Sequence, residues 1–339
     1  MKIDTQLAGF ETAAKDARRL ERLGLDGAFT FEGPHDVFTP LILAAEATTT
    51  LELLTNVAIA FPRNPVQLAH QAYDLQLLSK GRFTLGLGTQ IKAQIEKRYG
   101  AEFERPVARM REKVAALRAI FGSWETGERL DFRGEFSSHT LMPPTFNPGP
   151  NPYGAPPIAL GGLGPQMVRL AAEVADGLLV MPFNTTTHFR DRTLPAIEQG
   201  LTRGHRARSA LQVTAEVIVC CGRDEAEIEA ARTGVRFLLA FYGSTPAYRP
   251  VLEVEGWQDL QPELNALSKA GRWAEMPALI DDAMLSTLAA VGTPEEAAAA
   301  VIDRFGSHVD RVAFYTPYRV AEETVGEIVD ALKAAVTGA

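Results

Sequence analysis

The chain has 339 residues, 46% hydrophobic and 22% charged, enough for one barrel-sized domain or two smaller ones with a large core. A net charge of −8, with no lysine- or arginine-rich run, excludes nucleic acid as the main partner. The opening Met1-Lys2-Ile3-Asp4-Thr5-Gln6 lacks the apolar core of a secretion signal, and no apolar stretch approaches membrane-spanning length, so a cytoplasmic protein with no membrane contact is expected.

In chain order, Lys2 to Leu7 reads as a first strand and Glu11 to Leu23 as a helix, stopped by Gly24. A second strand, about Asp26 to Phe31, leads into Glu32-Gly33-Pro34-His35-Asp36, and a helix follows from Thr39 to Thr48. The third strand, Leu51 to Phe61, is a continuous apolar run suited to burial on both faces. Asn64-Pro65 starts a helix to about Leu78, and a fourth strand runs from Arg82 to Gly88. After Thr89-Gln90 a helical region extends to Trp124, with its main helix from Pro106 to Ile120.

Residues 125–156 break this rhythm with Pro and Gly, and a hairpin is expected at Leu130 to Leu141. Pro157-Ile158-Ala159-Leu160, Gly161-Gly162-Leu163-Gly164-Pro165, the periodic Met167, Leu170, Ala171 and Val174, and Leu178-Leu179-Val180 then give strand, glycine turn, helix, strand. Pro165 suits the first turn of that helix. Glycines before a helix start let backbone N–H groups point at an anion, where the helix dipole favours negative charge. The turn is therefore either a phosphate seat or simply a tight connection.

Further on, a helical segment from about Thr187 to Leu201 leads to a strand from Leu211 to Val219 and a helix from Glu225 to Phe241. Residues 243–275 form a second irregular insert. Thr293-Pro294-Glu295-Glu296 has the capping-box form and starts a helix to Phe305. The last strand is Val309 to Thr316, and an amphipathic helix from Glu322 to Val336 closes the chain. Cys220 and Cys221 are neighbours on a strand, so they face opposite ways and belong to the core rather than to a disulfide.

Eight strands alternating with helices, with inserts in two connections, predict an α/β fold of the (β/α)8 barrel type. Active sites of such barrels lie where strands end, so the residues following each strand are the candidates. With Phe83, Leu85 and Leu87 facing the helices, Thr84, Gly86 and Gly88 face the axis, and these glycines are expected to leave room for something large. Gly86-Leu87-Gly88 imitates a dinucleotide fingerprint, but Ile91 replaces its third glycine. Glu32 and His35 supply a carboxylate and an imidazole for acid–base work, whereas Asp36 suits a cap on the next helix. Asn56 is out of character inside an apolar strand and marks a bulge with a functional face. The scattered histidines give no zinc spacing, and there is no nucleophile elbow or Walker loop.

These stretches resemble the luciferase-like monooxygenase superfamily, and more closely its F420-dependent oxidoreductases. The residues carrying the resemblance are Glu32 to Asp36 with Pro40-Leu41 and Ala44 to Thr48, Arg63-Asn64-Pro65, Ser79 to Gly88, and Gly161 to Pro165 through Asp176-Gly177. The resemblance implies a single barrel domain over residues 1–339 with inserts near 125–156 and 243–275. It implies coenzyme F420, or alternatively FMN, at the strand ends, with the phosphate received by Gly161, Gly162, Leu163, Gly164, Gln166 and Met167. It places a cis peptide at Asn56–Val57 behind the ring and Thr89 and Gln90 beside it. The stretch Phe31 to His35 departs from the carboxylate–histidine pair of many such members, and His35 and Glu32 are the candidate catalytic proton donor or acceptor from their place at the strand end. The expected activity is hydride transfer to or from a small organic substrate by a homodimer. Two other readings stay open: an FMN-dependent monooxygenase using oxygen and a partner reductase, and a flavin- or deazaflavin-binding protein without turnover.

Overall fold

The computed structural model describes residues 1–338. Twelve short strands are present among them: β1 Lys2–Gln6, β2 Gly27–Thr30, β3 Glu52–Thr55, β4 Ala58–Ile59, β5 Phe83–Gly88, β6 Phe132–Arg133, β7 Ser138–His139, β8 Ile158–Gly162, β9 Gly177–Val180, β10 Gln212–Cys221, β11 Ala290–Gly292 and β12 Arg311–Tyr315. The order β10-β12-β1-β2-β3-β5-β8-β9 is closed by a β10–β9 pairing, and every pairing in it is parallel. Eight parallel strands thus make a closed barrel, while β4 continues β3 along β5 and β11 extends the top of β10. Helices lie between successive strands on the outside, as short right-handed crossovers require.

Sequence dictates several helix starts through hydrogen bonding. Asn64 accepts from Val66 N at 2.8 Å to begin Pro65–Leu78, and Thr293 and Glu296 form the reciprocal capping box of Pro294–Phe305. Asp36 accepts from Phe38 N, Thr39 N and the Thr39 hydroxyl, fixing the entry to Thr39–Ala47. Gly24 ends the first helix with φ +78°, a conformation that costs glycine little. The long helix extends past its expected end, over Pro106–Thr126, because Phe121 and Trp124 still find the core. The hairpin at 130–141 is present as the antiparallel pair β6–β7.

Period-2 alternation sorts the strands into two layers. Phe83, Leu85 and Leu87 of β5 and Val213, Ala215, Val217, Val219 and Cys221 of β10 face the helices. The axis is filled by Phe29, Leu54, Ala159, Leu179 and Ala313, with Val57 and Tyr315 above them. A third cluster joins Phe183, Ile218 and Cys220 to residues 231–289, so the second insert is a helical cap on the barrel's C-terminal end. Cys220 and Cys221 are free and buried in different clusters, as their adjacency on a strand predicts. No helix among the described residues is long and apolar enough to cross a membrane.

At the N-terminal end a cavity of about 430 Å³ is lined by Asp4, Glu52, Thr84, Thr214 and Arg311. Its charges answer one another: Arg311 Nε donates to Asp4 Oδ2 at 2.7 Å, and its Nη groups donate to Asp4 and Glu52. Burial pushes the Asp4 pKa up while Arg311 pulls it back. These residues tie the last strand to the first and third. Replacing Arg311 by Met leaves Asp4 buried without a counter-charge, and a loss of about 3–5 kcal/mol in urea unfolding is expected. Adding Asp4→Asn should recover part of that loss. A parent-like midpoint for Arg311→Met would show that the triad does not close the barrel.

Candidate active site

The third strand departs from the continuous run expected, yet carries the cis peptide that the resemblance implies. Leu51 to Phe61 is not one strand, because the Asn56–Val57 peptide bond is cis and separates β3 from β4. Thr55 substitutes for the interrupted ladder: its hydroxyl donates to Gly86 O at 2.8 Å and accepts from Gly86 N at 2.9 Å. Asn56 and Val57 are thereby lifted into the mouth of the barrel, each partly accessible.

The axis-facing glycines of β5 do not leave a void. A Cβ on Gly86 would lie 1.9 Å from Thr55 O and 2.7 Å from Leu179 Cδ1, and one on Gly88 would lie 2.3 Å from Val57 Cγ2. The space expected for a large ligand is occupied by the protein's own third strand. Gly161 faces the same side chain, its Cβ position being 3.1 Å from Val57 Cγ1. Gly88, Val57 and Gly161 therefore meet in one layer.

The glycine turn is also shorter than its sequence suggests. Gly161 and Gly162 are the last residues of β8, and only Leu163 and Gly164 make the turn before the helix Pro165–Val174. Gly162 is buried and points outward, where a Cβ would sit 3.2 Å from Val168 Cγ2 and 3.3 Å from Leu178 Cδ1. Gly164 is exposed, has φ −69°, and has open space where a Cβ would be. Gln166 is exposed and Met167 partly so. An anion could approach the helix start at Gly164 but not from the Gly162 side.

Thr89 and Gln90 follow β5 directly and are half-buried. Gln90 has φ +56°, uncommon for a residue with a side chain. Its Oε1 accepts from Ile91 N at 3.0 Å, and its carbonyl accepts from Thr89 Oγ1 at 3.0 Å. Such outliers gather at ligand clamps.

Glu32 turns into the protein. Its Oε2 accepts from Arg63 Nη1 at 2.6 Å and Ile59 N at 2.7 Å, and its Oε1 from Tyr99 OH at 3.1 Å. Arg63 also donates to Ile59 O, and its own carbonyl accepts from Lys113 Nζ at 2.6 Å. Burial lowers the Lys113 pKa to about 8. This chain of contacts holds β4 behind the Asn56–Val57 segment. His35 is exposed and stacks on Phe10, ring centroids 4.5 Å apart.

One residue of the mouth escaped the sequence reading. Glu216 stands on the axis face of β10, and its Oε2 accepts from Asn56 Nδ2 at 3.1 Å. Protein surrounds it except on the side open to the mouth, and burial raises its pKa to about 8. The signal was the one that exposed Asn56: a lone charged residue in an apolar strand, Val213-Thr214-Ala215-Glu216-Val217-Ile218. No group of three or more His, Cys, Asp or Glu among the described residues is arranged to hold a metal.

Substituting Gly86 by Ala tests whether the third strand needs the bare axis. The added methyl meets the Thr55 carbonyl first, which cannot step aside as the end of the Leu179 side chain can. An expected cost of about 1–3 kcal/mol in stability, the usual scale for overpacking, should be accompanied by altered amide shifts at Thr55 to Ala58 in NMR spectra. Unchanged stability and shifts would mean the segment has slack.

Comparison with known proteins follows the same geometry. Residues 2–311 match the luciferase-like monooxygenase family model. A Mycobacterium tuberculosis protein, described only as uncharacterized, is 49% identical over 313 residues, covering 92% of each chain. A putative coenzyme F420-dependent oxidoreductase of the same organism is 30% identical over 296 residues, 83% of this chain and 82% of that one. The coenzyme F420-dependent tetrahydromethanopterin reductase from Methanopyrus kandleri superposes with a TM-score of 0.78 over 97% of this chain and 96% of that one, at 20% identity, a likeness of fold. A barrel with its third strand lifted into the mouth, a family model over most of its length and a relative at this level together make the chain an oxidoreductase belonging to the luciferase-like monooxygenase family.

Proposed function

We propose that the protein is an F420-dependent oxidoreductase that moves a hydride between the deazaflavin and a small organic substrate. The observation that carries this reading is the juxtaposition of Asn56–Val57, the Thr89–Gln90 turn and the Gly161–Gly164 segment around one mouth, beside an unobstructed helix start. The relative named as a putative F420-dependent oxidoreductase favours the deazaflavin over FMN.

The residues present fit such a group. Val57, between Gly88 and Gly161, offers an apolar floor for a flat ring. Gly164 and Gln166 lie exposed at a helix N-terminus, where an anionic phosphate is favoured. Thr89 and Gln90 line the rim next to that floor. When bound, the deazaflavin supplies a ring carbon that gives or takes a hydride. The chain's own work is to hold reactants at contact distance and to place a titratable group at the rim. Glu32, with all its contacts directed to Arg63, Ile59 and Tyr99, braces that floor, and His35 is the titratable group on the loop above it. Replacing His35 by Ala should leave cofactor affinity within a few-fold and lower turnover by about a hundredfold, the scale of a lost general acid or base. Parent-like turnover would return His35 to its stacking role on Phe10.

The phosphate seat is tested by Gly164→Glu, which adds a carboxylate where nothing else is displaced. Two unit charges about 4 Å apart repel by about 4 kcal/mol at an effective dielectric of 20. A loss of about 3 kcal/mol already weakens binding more than a hundredfold. Calorimetric titration of the variant with F420 should show that loss, with folding intact. Gly122→Glu, on the exposed side of the helix Pro106–Thr126, makes the same charge change and should bind like the parent. Parallel titration with FMN separates the two cofactors. If Gly164→Glu binds both as the parent does, the helix start is not a phosphate seat.

A further inference from the structure

Among the described residues, the inner part of the mouth gathers titratable groups on which no cation acts. Glu216 Oε2 accepts from Asn56, while among the described residues its Oε1 meets no donor or acceptor. Tyr315 faces it from β12 and Tyr242 from the helix Glu225–Gly243, each sensing the Glu216 charge. On the neighbouring β9, Val180 pairs with Ala215 and Leu179 is the apolar axis residue, and the apolar Met181 follows the strand. Tyr248 packs on Tyr242 with ring centroids 6.1 Å apart, and both lie against Phe183. Burial pushes Tyr248 and Tyr315 up to about 12, so their hydroxyls stay neutral. Among the described residues no lysine, arginine or histidine charge acts on Glu216, Tyr242, Tyr248 or Tyr315.

We propose that this recess takes the uncharged, oxygen-bearing part of the substrate, a ketone, aldehyde or alcohol, and that Glu216 as a neutral carboxylic acid donates its O–H to that oxygen. The assignment deepens the oxidoreductase reading and rests on it for the chemistry that follows binding. A carboxylate or phosphate entering here would lose its water and find no counter-charge, a large cost. A carbonyl or hydroxyl loses less and gains the Glu216 O–H, a donor that no described residue takes up. Asn56 decides which oxygen that is: its amide already donates to Oε2, so the proton sits on Oε1. A carbonyl held there is polarised, which favours hydride arrival at its carbon.

The pH dependence follows from the folded pKa of about 8. That value is raised above the ordinary carboxyl range, so the neutral acid is present at and below neutral pH and is lost as pH rises through it. Tyr242 and Tyr315, the other titratable groups facing Glu216, keep their protons across that window.

The test uses the full-length protein with acetophenone and benzoate, one neutral and one anionic and alike in size, followed by calorimetry or saturation-transfer NMR. At about pH 6.5 acetophenone should bind at least about tenfold more tightly than benzoate, since only benzoate is desolvated without a counter-charge. Between about pH 6.5 and about pH 9.5 the parent's affinity for acetophenone should fall roughly five- to tenfold, the scale of one hydrogen bond to a buried group. Glu216→Gln copies the neutral acid, its carbonyl accepting from Asn56 and its N–H₂ donating to the ligand. It should therefore bind acetophenone like the parent at the lower pH and show no fall at the higher one. Equal or tighter binding of benzoate, a flat pH profile in the parent, or a parent-like fall in Glu216→Gln would each overturn the assignment. Because these titrations are made without cofactor, their outcome is separable from that of the F420 and FMN titrations. Neutral-ligand preference with no cofactor binding would remove the redox reading and leave the recess as assigned.

Discussion

Val57 occupies space that two strands leave for it, and the mouth of the barrel is arranged around that contact. Its side chain lies against the bare backbone of Gly88 and Gly161, and one residue pair earlier the Thr55 carbonyl lies against Gly86. The approaches at Gly86 and Gly88 are too close for any Cβ and that at Gly161 is tight, so the glycines of β5 and β8 and the path of the third strand are a single constraint. The lost ladder bonds are replaced by the Thr55 hydroxyl, which bonds both the N–H and the carbonyl of Gly86. Beyond the break, Glu32 and Arg63 fasten β4 from the outside. A side chain projecting into the mouth is thus held by backbone contacts on one face and an ion pair on the other. That is the rigid support a binding surface needs.

The two ends of the barrel treat buried charge in opposite ways. At the N-terminal end Arg311 meets Asp4 and Glu52, so each charge has a partner and the cavity there is electrostatically complete. At the C-terminal end Glu216 has one amide and no cation, and the cost of burying its ionised form appears instead as a raised pKa. A paired cluster ties strands together, whereas an unpaired acid keeps a proton and a free oxygen. The division agrees with the general asymmetry of such barrels, in which the N-terminal face serves stability and the C-terminal face serves chemistry.

The fold was legible in the sequence because its signals are local and repeated. Alternating strand and helix patterns, Asn64-Pro65, Gly24 and the capping box at Thr293 each specify a boundary without help from distant residues. The mouth was legible only in part, because its geometry depends on contacts between strands far apart in the chain. Apolar content made Leu51 to Phe61 look continuous, and nothing within that run records that Gly86 and Gly88, about thirty residues on, are there to receive it. Gly162 looked like a turn residue because glycine serves turns and close packing equally; only its contacts with Val168 and Leu178 tell the two apart. Asn56 was conspicuous in an apolar strand, and Glu216 carried the same mark, yet their pairing across 160 positions is a property of closure.

Closure also explains why the cap and the acid cannot be treated separately. The inner face of β10 runs from Thr214 through Glu216 to Ile218 and Cys220, with alternate residues on the axis side. Ile218 and Cys220 are core residues of the cap, packed with Val235, Leu239, Leu252 and Leu285. Glu216 is therefore the last axis residue below a roof that the same strand anchors. Residues that shut the roof, Tyr242 among them, also remove water from the carboxyl and so set its protonation. A substitution that loosens the cap would readmit water, lower the Glu216 pKa toward its ordinary value, and convert a neutral donor into an anion at neutral pH. Substrate selection in this barrel would then change from a position well outside the mouth, through hydration of a single carboxyl group, with Asn56 and Val57 left where they are.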